Sequence, residues 1–167
     1  YIKAIETIGA SKKRIILKLD IKDFFENITF NRVYNSCFPI EYFPKSVGMM
    51  LTYLCTYDDH LAQGCPTSSY ISNLVMKDFD EEIASWCEEK YISYTRYSDD
   101  MTFSGNLDPH KLIPKISELV FNDGFQINSK KTRVAYPNTR QEVTGIVVNS
   151  HMQVPRKQRR YIRQQVH

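Results

Sequence analysis

Tyr91-Ile92-Ser93-Tyr94-Thr95-Arg96-Tyr97-Ser98-Asp99-Asp100-Met101-Thr102-Phe103-Ser104 contains two β-prone runs, Tyr91 to Arg96 and Met101 to Ser104, joined by residues that end in paired carboxylates. Aromatic and β-branched side chains suit a pleated, half-buried backbone, so the stretch predicts a hairpin with Asp99 and Asp100 at its tip. Far upstream, Arg14-Ile15-Ile16-Leu17-Lys18-Leu19-Asp20 is an aliphatic run of strand length that also closes on a carboxylate. In an antiparallel sheet a strand end and a neighbouring hairpin tip meet, which would bring Asp20, Asp99 and Asp100 to one sheet edge. Like charges that close raise one another's pKa unless a cation neutralises them. Oxygen ligands without His or Cys beside them favour Mg²⁺ or Mn²⁺ over zinc. Two such ions roughly 3.5–4 Å apart suit in-line attack at phosphorus. Asp is also a common turn residue, so the pair taken alone reads equally well as a plain turn.

Between and beyond these strands the periodicity is helical. Thr29 is a candidate N-cap for a helix over Asn31 to Cys37, and Pro44 opens a second through Leu54. A loop, Gln63-Gly64-Cys65-Pro66-Thr67, precedes one long predicted helix with Ile71, Leu74, Val75, Phe79, Ile83, Trp86 and Cys87 at apolar spacing. Asp108-Pro109 starts a further helix that Gly124 stops, with Pro114 expected to kink or restart it. Thr132 to Tyr136 and Glu142 to Asn149 predict a second hairpin around Pro137-Asn138-Thr139-Arg140. The order strand, helices, hairpin, helix, hairpin implies an α+β fold, an antiparallel sheet with helices packed on one face.

The 167 residues suffice for one domain with a core, and 42% hydrophobic with 25% charged residues excludes a disordered chain. A net charge of +3 permits a polyanionic partner, and the basic run Pro155-Arg156-Lys157-Gln158-Arg159-Arg160-Tyr161-Ile162-Arg163 reads either as a phosphate-contacting segment or as a solvated helix face. The four cysteines form no CxxC pair, which points away from a zinc site or a disulfide framework and toward a reducing, cytoplasmic setting. No apolar run has the length of a membrane span. The start at Tyr1, without an initiator Met, suggests a piece of a longer chain.

Five segments, in order, resemble the palm motifs of reverse transcriptases. They are Leu17-Lys18-Leu19-Asp20-Ile21-Lys22-Asp23-Phe24-Phe25; Gln63-Gly64-Cys65-Pro66-Thr67-Ser68 with Ser72-Asn73; Tyr94 to Gly105 with its Tyr-x-Asp-Asp core; Gly124-Phe125-Gln126-Ile127-Asn128-Ser129-Lys130-Lys131-Thr132; and Glu142-Val143-Thr144-Gly145-Ile146-Val147-Val148. The Val143-Thr144-Gly145 triplet is similar to that of the bacterial retron group. Cys65 and Ser69 stand where the family more often has Ala and Pro, and Glu6-Thr7-Ile8-Gly9-Ala10 stands where retron enzymes usually carry Asn-Ala-x-x-His.

The resemblance implies a polymerase palm of RRM or ferredoxin-like topology over residues 14–150, with residues 1–13 ending a fingers segment and 151–167 starting a thumb. It makes Asp20, Asp99 and Asp100 ligands of two Mg²⁺ ions, with Mn²⁺ as a substitute, and Lys131 a proton donor to pyrophosphate. Ile21, Phe25, Gln63 and Gly64 would contact the incoming nucleotide, Phe25 by excluding a ribose 2′-hydroxyl. Tyr97 and the Val143-Thr144-Gly145 hairpin would lie along primer and template. The implied partners are an RNA template, a DNA or RNA primer and dNTPs, with a structured non-coding RNA and an effector protein as further candidates. Without fingers and thumb the isolated segment is expected to have little processive activity. Two other readings stay open: an idle palm that binds RNA or protein, and another palm enzyme such as an RNA-dependent RNA polymerase or a nucleotide cyclase.

Overall fold

The computed structural model describes residues 14–149 and 152–166; the fingers expectation for residues 1–13 lies outside them. The first aliphatic run forms strand β1 (Ile15–Asp20) and the aromatic stretch forms β4 (Ser93–Tyr97) and β5 (Asp100–Gly105). With β6 (Arg133–Ala135) they make one sheet of order β4-β5-β1-β6, every neighbouring pair antiparallel. Helices connect β1 to β4 and β5 to β6, so the four strands have the ferredoxin-like order expected of a palm.

Between β1 and β4 lie α1 (Phe30–Cys37), α2 (Lys45–Cys55), a short ribbon of β2 (Thr56–Tyr57) and β3 (His60–Leu61), α3 (Ser68–Val75) and α4 (Lys77–Glu89). Thr29 caps α1 by accepting from the Arg32 N–H, and Pro44 precedes α2, both as read from the sequence. The long helix expected across Ile71 to Cys87 is instead two helices that break at Met76 (φ −89°, ψ 6°). Asp78 and Asp80 in the first turn of α4 favour a helix start there by complementing the exposed N–H groups. The apolar spacing survives the break in part: Ile71, Phe79, Ile83 and Cys87 are buried, while Leu74 is exposed.

Helix α5 (Pro109–Asn122) continues through Pro114 without a restart. Asp108 caps its start, and Leu112, Ile116 and Val120 face inward. The alternation of β1 sends Leu17 and Leu19 into this layer, where they join Met101 and Phe103 of β5 and the inner faces of α4 and α5 in one core. Each such side chain contributes about 1.5–3 kcal/mol of burial.

The second hairpin also differs from expectation. β6 does not pair with the residues that follow it; it completes the free edge of β1, with Leu17 opposite Val134. The later residues close on themselves as β7 (Glu142–Val143) and β8 (Ile146–Val147) around Thr144 and Gly145. Gln141 fastens this unit by donating from Nε2 to the carbonyls of Arg14 and Ala135. Ile16, on the face of β1 away from the helices, packs with Val143 and Val148. The sheet therefore carries helices on one face and a small hairpin at one end of the other. The chain closes with α6 (Arg156–Val166), whose Arg156, Arg159, Arg160 and Arg163 are exposed and line one concavity.

Candidate active site

Pairing of β1 with β5 places Asp20 opposite Asp100, and pairing of β5 with β4 places Asp100 opposite Tyr97. Residues of one register share a face, so the carboxylates at the ends of β1 and β5 lie on the side away from the helices. Ser98 and Asp99 form the two-residue turn between β4 and β5. Ser98 has φ +52° and Asp99 does not share the positive angle, the pattern of a turn whose first position usually holds Gly. Such a backbone costs a non-glycine residue about 1–2 kcal/mol.

The end of β1 is tied down from two sides. The Ile21 N–H donates to the Asp99 carbonyl at 2.9 Å, and the Asn128 N–H donates to the Asp20 carbonyl at 2.8 Å. These bonds bring three motifs to one place although they are far apart in sequence. Between them opens a cavity of about 260 Å³ lined by Asp20, Ile21, Phe24, Phe25, Gln63, Asp99, Asn128 and Lys131, with Asp23, Glu26, His60 and Leu61 completing the wall.

The structure thus gathers Asp20, Asp99, Ile21, Phe25, Gln63 and Lys131 of the expected set. Asp100 lies across the strand from Asp20 and is not part of the cavity wall. Among the described residues, no three His, Cys, Asp or Glu side chains converge tightly enough to hold a metal ion. Asp20 and Asp99 line the cavity together, while Asp100 stands opposite Asp20 on β5, and the charges of both Asp20 and Asp100 reach Asp99. Gly64 sits in the turn beside Gln63 with φ +88°. Tyr97 lines a neighbouring cavity of about 620 Å³. Val143 is buried in the smaller core cluster, and Thr144 and Gly145 form the tip of the last hairpin.

Asp20 is 5% exposed. Its Oδ2 accepts from Lys131 Nζ at 2.8 Å, while its Oδ1 is buried without a partner. A buried carboxylate oxygen with no donor is costly, and a cation in the cavity would satisfy it. Burial raises the Asp99 pKa above the ordinary carboxylate range, and the charges of Asp20 and Asp100 push it the same way. The hydrogen bond to Asp20 and its charge hold the Lys131 ammonium above the ordinary lysine range. Orphaned oxygen, crowded carboxylates and an all-oxygen donor set fit a hard divalent ion.

Of the paired phenylalanines, Phe24 is the core residue, 3% exposed and 5.7 Å between ring centroids from Phe125. Phe25 is half-buried, edge-on to Phe24 at 5.2 Å, and faces the cavity. The sequence left open which of the two was packing, and the turn after β1 separates them. His60, Glu26 and Asp23 were not anticipated as cavity residues. Asp23 lies within the first motif without an assigned role, while Glu26 and His60 come from the turn that follows it and from the β2–β3 ribbon, outside the five motifs.

The family model for reverse transcriptase (RNA-dependent DNA polymerase) matches residues 3–162. Among curated proteins, the chain is 32% identical over 165 residues to the retron Ec86 reverse transcriptase of Escherichia coli, covering 96% of this chain and 50% of that one. It is 33% identical over 178 residues to the retron Mx65 reverse transcriptase of Myxococcus xanthus, covering 93% of this chain and 41% of the relative. The chain thus spans half or less of the length of these relatives. Among solved structures, telomerase from Candida albicans, in complex with a TWJ fragment of telomeric RNA, superposes with a TM-score of 0.64 at 12% identity. That match covers 92% of this chain and 32% of the telomerase, a likeness of fold.

Proposed function

The chain belongs to the reverse transcriptase family, and we propose that it is the palm of a retron-type enzyme that adds dNTPs to a primer 3′ hydroxyl on an RNA template. The observation that carries this reading is the cavity lined by both Asp20 and Asp99, with one buried Asp20 oxygen unpartnered. Asp20 and Asp99, with Asp100 and the main chain of Ile21 beside them, are the residues that would hold two Mg²⁺ ions, or Mn²⁺ in their place. Such ions supply charge neutralisation at the attacking and leaving oxygens.

The remaining residues orient and select. Phe25, whose ring is backed by Phe24 and lines the cavity, would carry the sugar of the nucleotide and crowd a ribose 2′-hydroxyl there. Gln63 offers an amide to the nascent pair, and Gly64 lets the backbone approach it closely. Lys131 holds Asp20 until substrate arrives. Once turned away from that carboxylate it becomes a better proton donor to the leaving pyrophosphate, because Asp20 is what raises its pKa. Tyr97 and the Val143-Thr144-Gly145 hairpin lie along the primer and template side. The arginines of α6, spaced i, i+3, i+4 and i+7, suit phosphates of the duplex at the entrance to a thumb.

A structured non-coding RNA and an effector protein are the further partners this reading names, in the cytoplasm. Among the described residues no helix is long and apolar enough to cross a membrane. An idle palm that binds RNA or protein is the second reading.

Sugar selectivity separates these readings. RNA-templated extension with dNTPs against rNTPs should show a preference of about 100-fold or more for dNTPs, and Phe25→Ala should erode it at least tenfold. Equal use of rNTPs by the parent would point to an RNA polymerase, and no incorporation with intact RNA binding would point to the idle palm.

A further inference from the structure

Arg96 lies in β4 opposite Met101, on the face of the sheet that meets the helices, and its side chain is 3% exposed. A guanidinium in that position requires a full set of partners. Its Nε donates to Asp80 Oδ1 at 2.9 Å and its Nη2 to Asp80 Oδ2, a two-pronged pair with the first turn of α4. The Tyr94 hydroxyl donates to the same Asp80 Oδ1 at 2.7 Å. Burial first, and then Asp80, push the Tyr94 pKa well above the ordinary tyrosine range, so that hydroxyl stays protonated and donates. The remaining arm, Nη1, donates to the carbonyl of Ser98 at 2.9 Å.

That carbonyl belongs to the peptide plane immediately before Asp99. The plane immediately after Asp99 is held by the Ile21 N–H on the Asp99 carbonyl at 2.9 Å. The Asp99 Cα is thus clamped between two tied peptide planes, which fixes the direction of its Cα–Cβ bond and so the point from which its carboxylate reaches. The turn needs such a clamp, since Ser98 holds a φ of +52° that a non-glycine residue does not keep unaided.

We propose that Arg96 is a positioning residue for nucleotidyl transfer, aiming the Asp99 carboxylate by transmitting the fixed geometry of the Asp80 pair to the Ser98 carbonyl. The inference rests on the polymerase reading of the Asp20–Asp99 cavity and adds to it a control point on the opposite side of the hairpin. A lysine in place of Arg96 keeps the charge and loses the fork, so it cannot grip both Asp80 oxygens and Ser98 at once.

The test uses the full natural chain that carries this palm, as parent, Arg96→Lys and Tyr94→Phe. Three quantities are read: Mn²⁺ binding by electron paramagnetic resonance, the kcat and dNTP KM of RNA-templated extension, and Tm. Arg96→Lys should lower kcat about 10- to 100-fold with KM within about twofold, because a misaimed group costs rate before affinity. It should also weaken Mn²⁺ binding about fivefold or more, an effect a merely structural ion pair would not produce in the folded fraction. Tyr94→Phe, which leaves the fork in place, should shift both readouts the same way by about threefold, with a fall in Tm of a few degrees that leaves the variant folded. Parental Mn²⁺ affinity and kcat in both folded variants overturns the inference while leaving the polymerase reading intact. A parent that makes no DNA, yet binds Mn²⁺ more tightly than the variants, overturns the polymerase reading and supports the clamp. Should Arg96→Lys fail to fold, Tyr94→Phe decides: a parental Mn²⁺ affinity in it overturns the inference.

Discussion

Asp99 ionises against its surroundings. Burial, and then the charges of Asp20 and Asp100, raise its pKa in the folded chain, so the folded state holds this proton more tightly than the unfolded one. The sign follows from that difference: stability from this group is fully present below the ordinary aspartate pKa of about 3.9 and is lost as pH rises through the raised value. In chelator at neutral pH, Asp99→Asn should therefore raise the Tm, and the gap between variant and parent should narrow toward acid pH; a lower Tm at neutral pH would contradict the crowding described for the site. The identity of Asp20 and Asp99 was legible in the sequence because each closes a β-prone run, and Lys131 because its motif resembles a known one. The unpartnered Oδ1 of Asp20 was not, since it depends on which oxygen Lys131 takes. Arg96 and Asp80 were missed as a pair for a similar reason. Period-2 alternation puts Arg96 on the apolar face of β4, a signal that it needs a buried partner, but only the packing of α4 shows which carboxylate supplies one.

At the scale of elements, local signals succeeded where capping and turn chemistry are local. Thr29 and Asp108 cap the helices they were expected to cap, and the β4–β5 hairpin turns where its carboxylates said it would. The last strands failed because strand pairing is a choice among distant partners: β6 takes the edge of β1, and β7 finds β8. The turn that closes β7 on β8 has φ +45° at Thr144 and +81° at Gly145, both in the left-handed region. Asn tolerates that conformation and a β-branched residue does not, so Thr144→Asn should raise stability by about 0.5–1 kcal/mol, read from chemical denaturation. A loss of stability would mean that the Thr144 side chain makes a contact worth more than the turn strain. The break at Met76 shows the complementary weakness of periodicity, which is blind to a helix end when both helices bury the same side.

Across the whole molecule, the topology does what the isolated motifs cannot. Antiparallel pairing of β1 with β5 places Asp20 beside the β4–β5 turn, and residues 126–128 lock against the end of β1, so the first, third and fourth motifs share one cavity. The α+β layering was readable from the succession of elements, and the ferredoxin-like palm and the family from the resemblance of five motifs in sequence. That Asp100 stands opposite Asp20 came only from the register. The most direct test of the account is Mg²⁺-dependent extension of a primer on an RNA template with dNTPs, by the full natural chain carrying this palm beside its Asp99→Ala variant. The account predicts DNA synthesis by the parent that falls at least 1,000-fold in the variant (about 4 kcal/mol of barrier) while template binding is kept. Equal synthesis by both, or none by a parent that binds the template tightly, would contradict it.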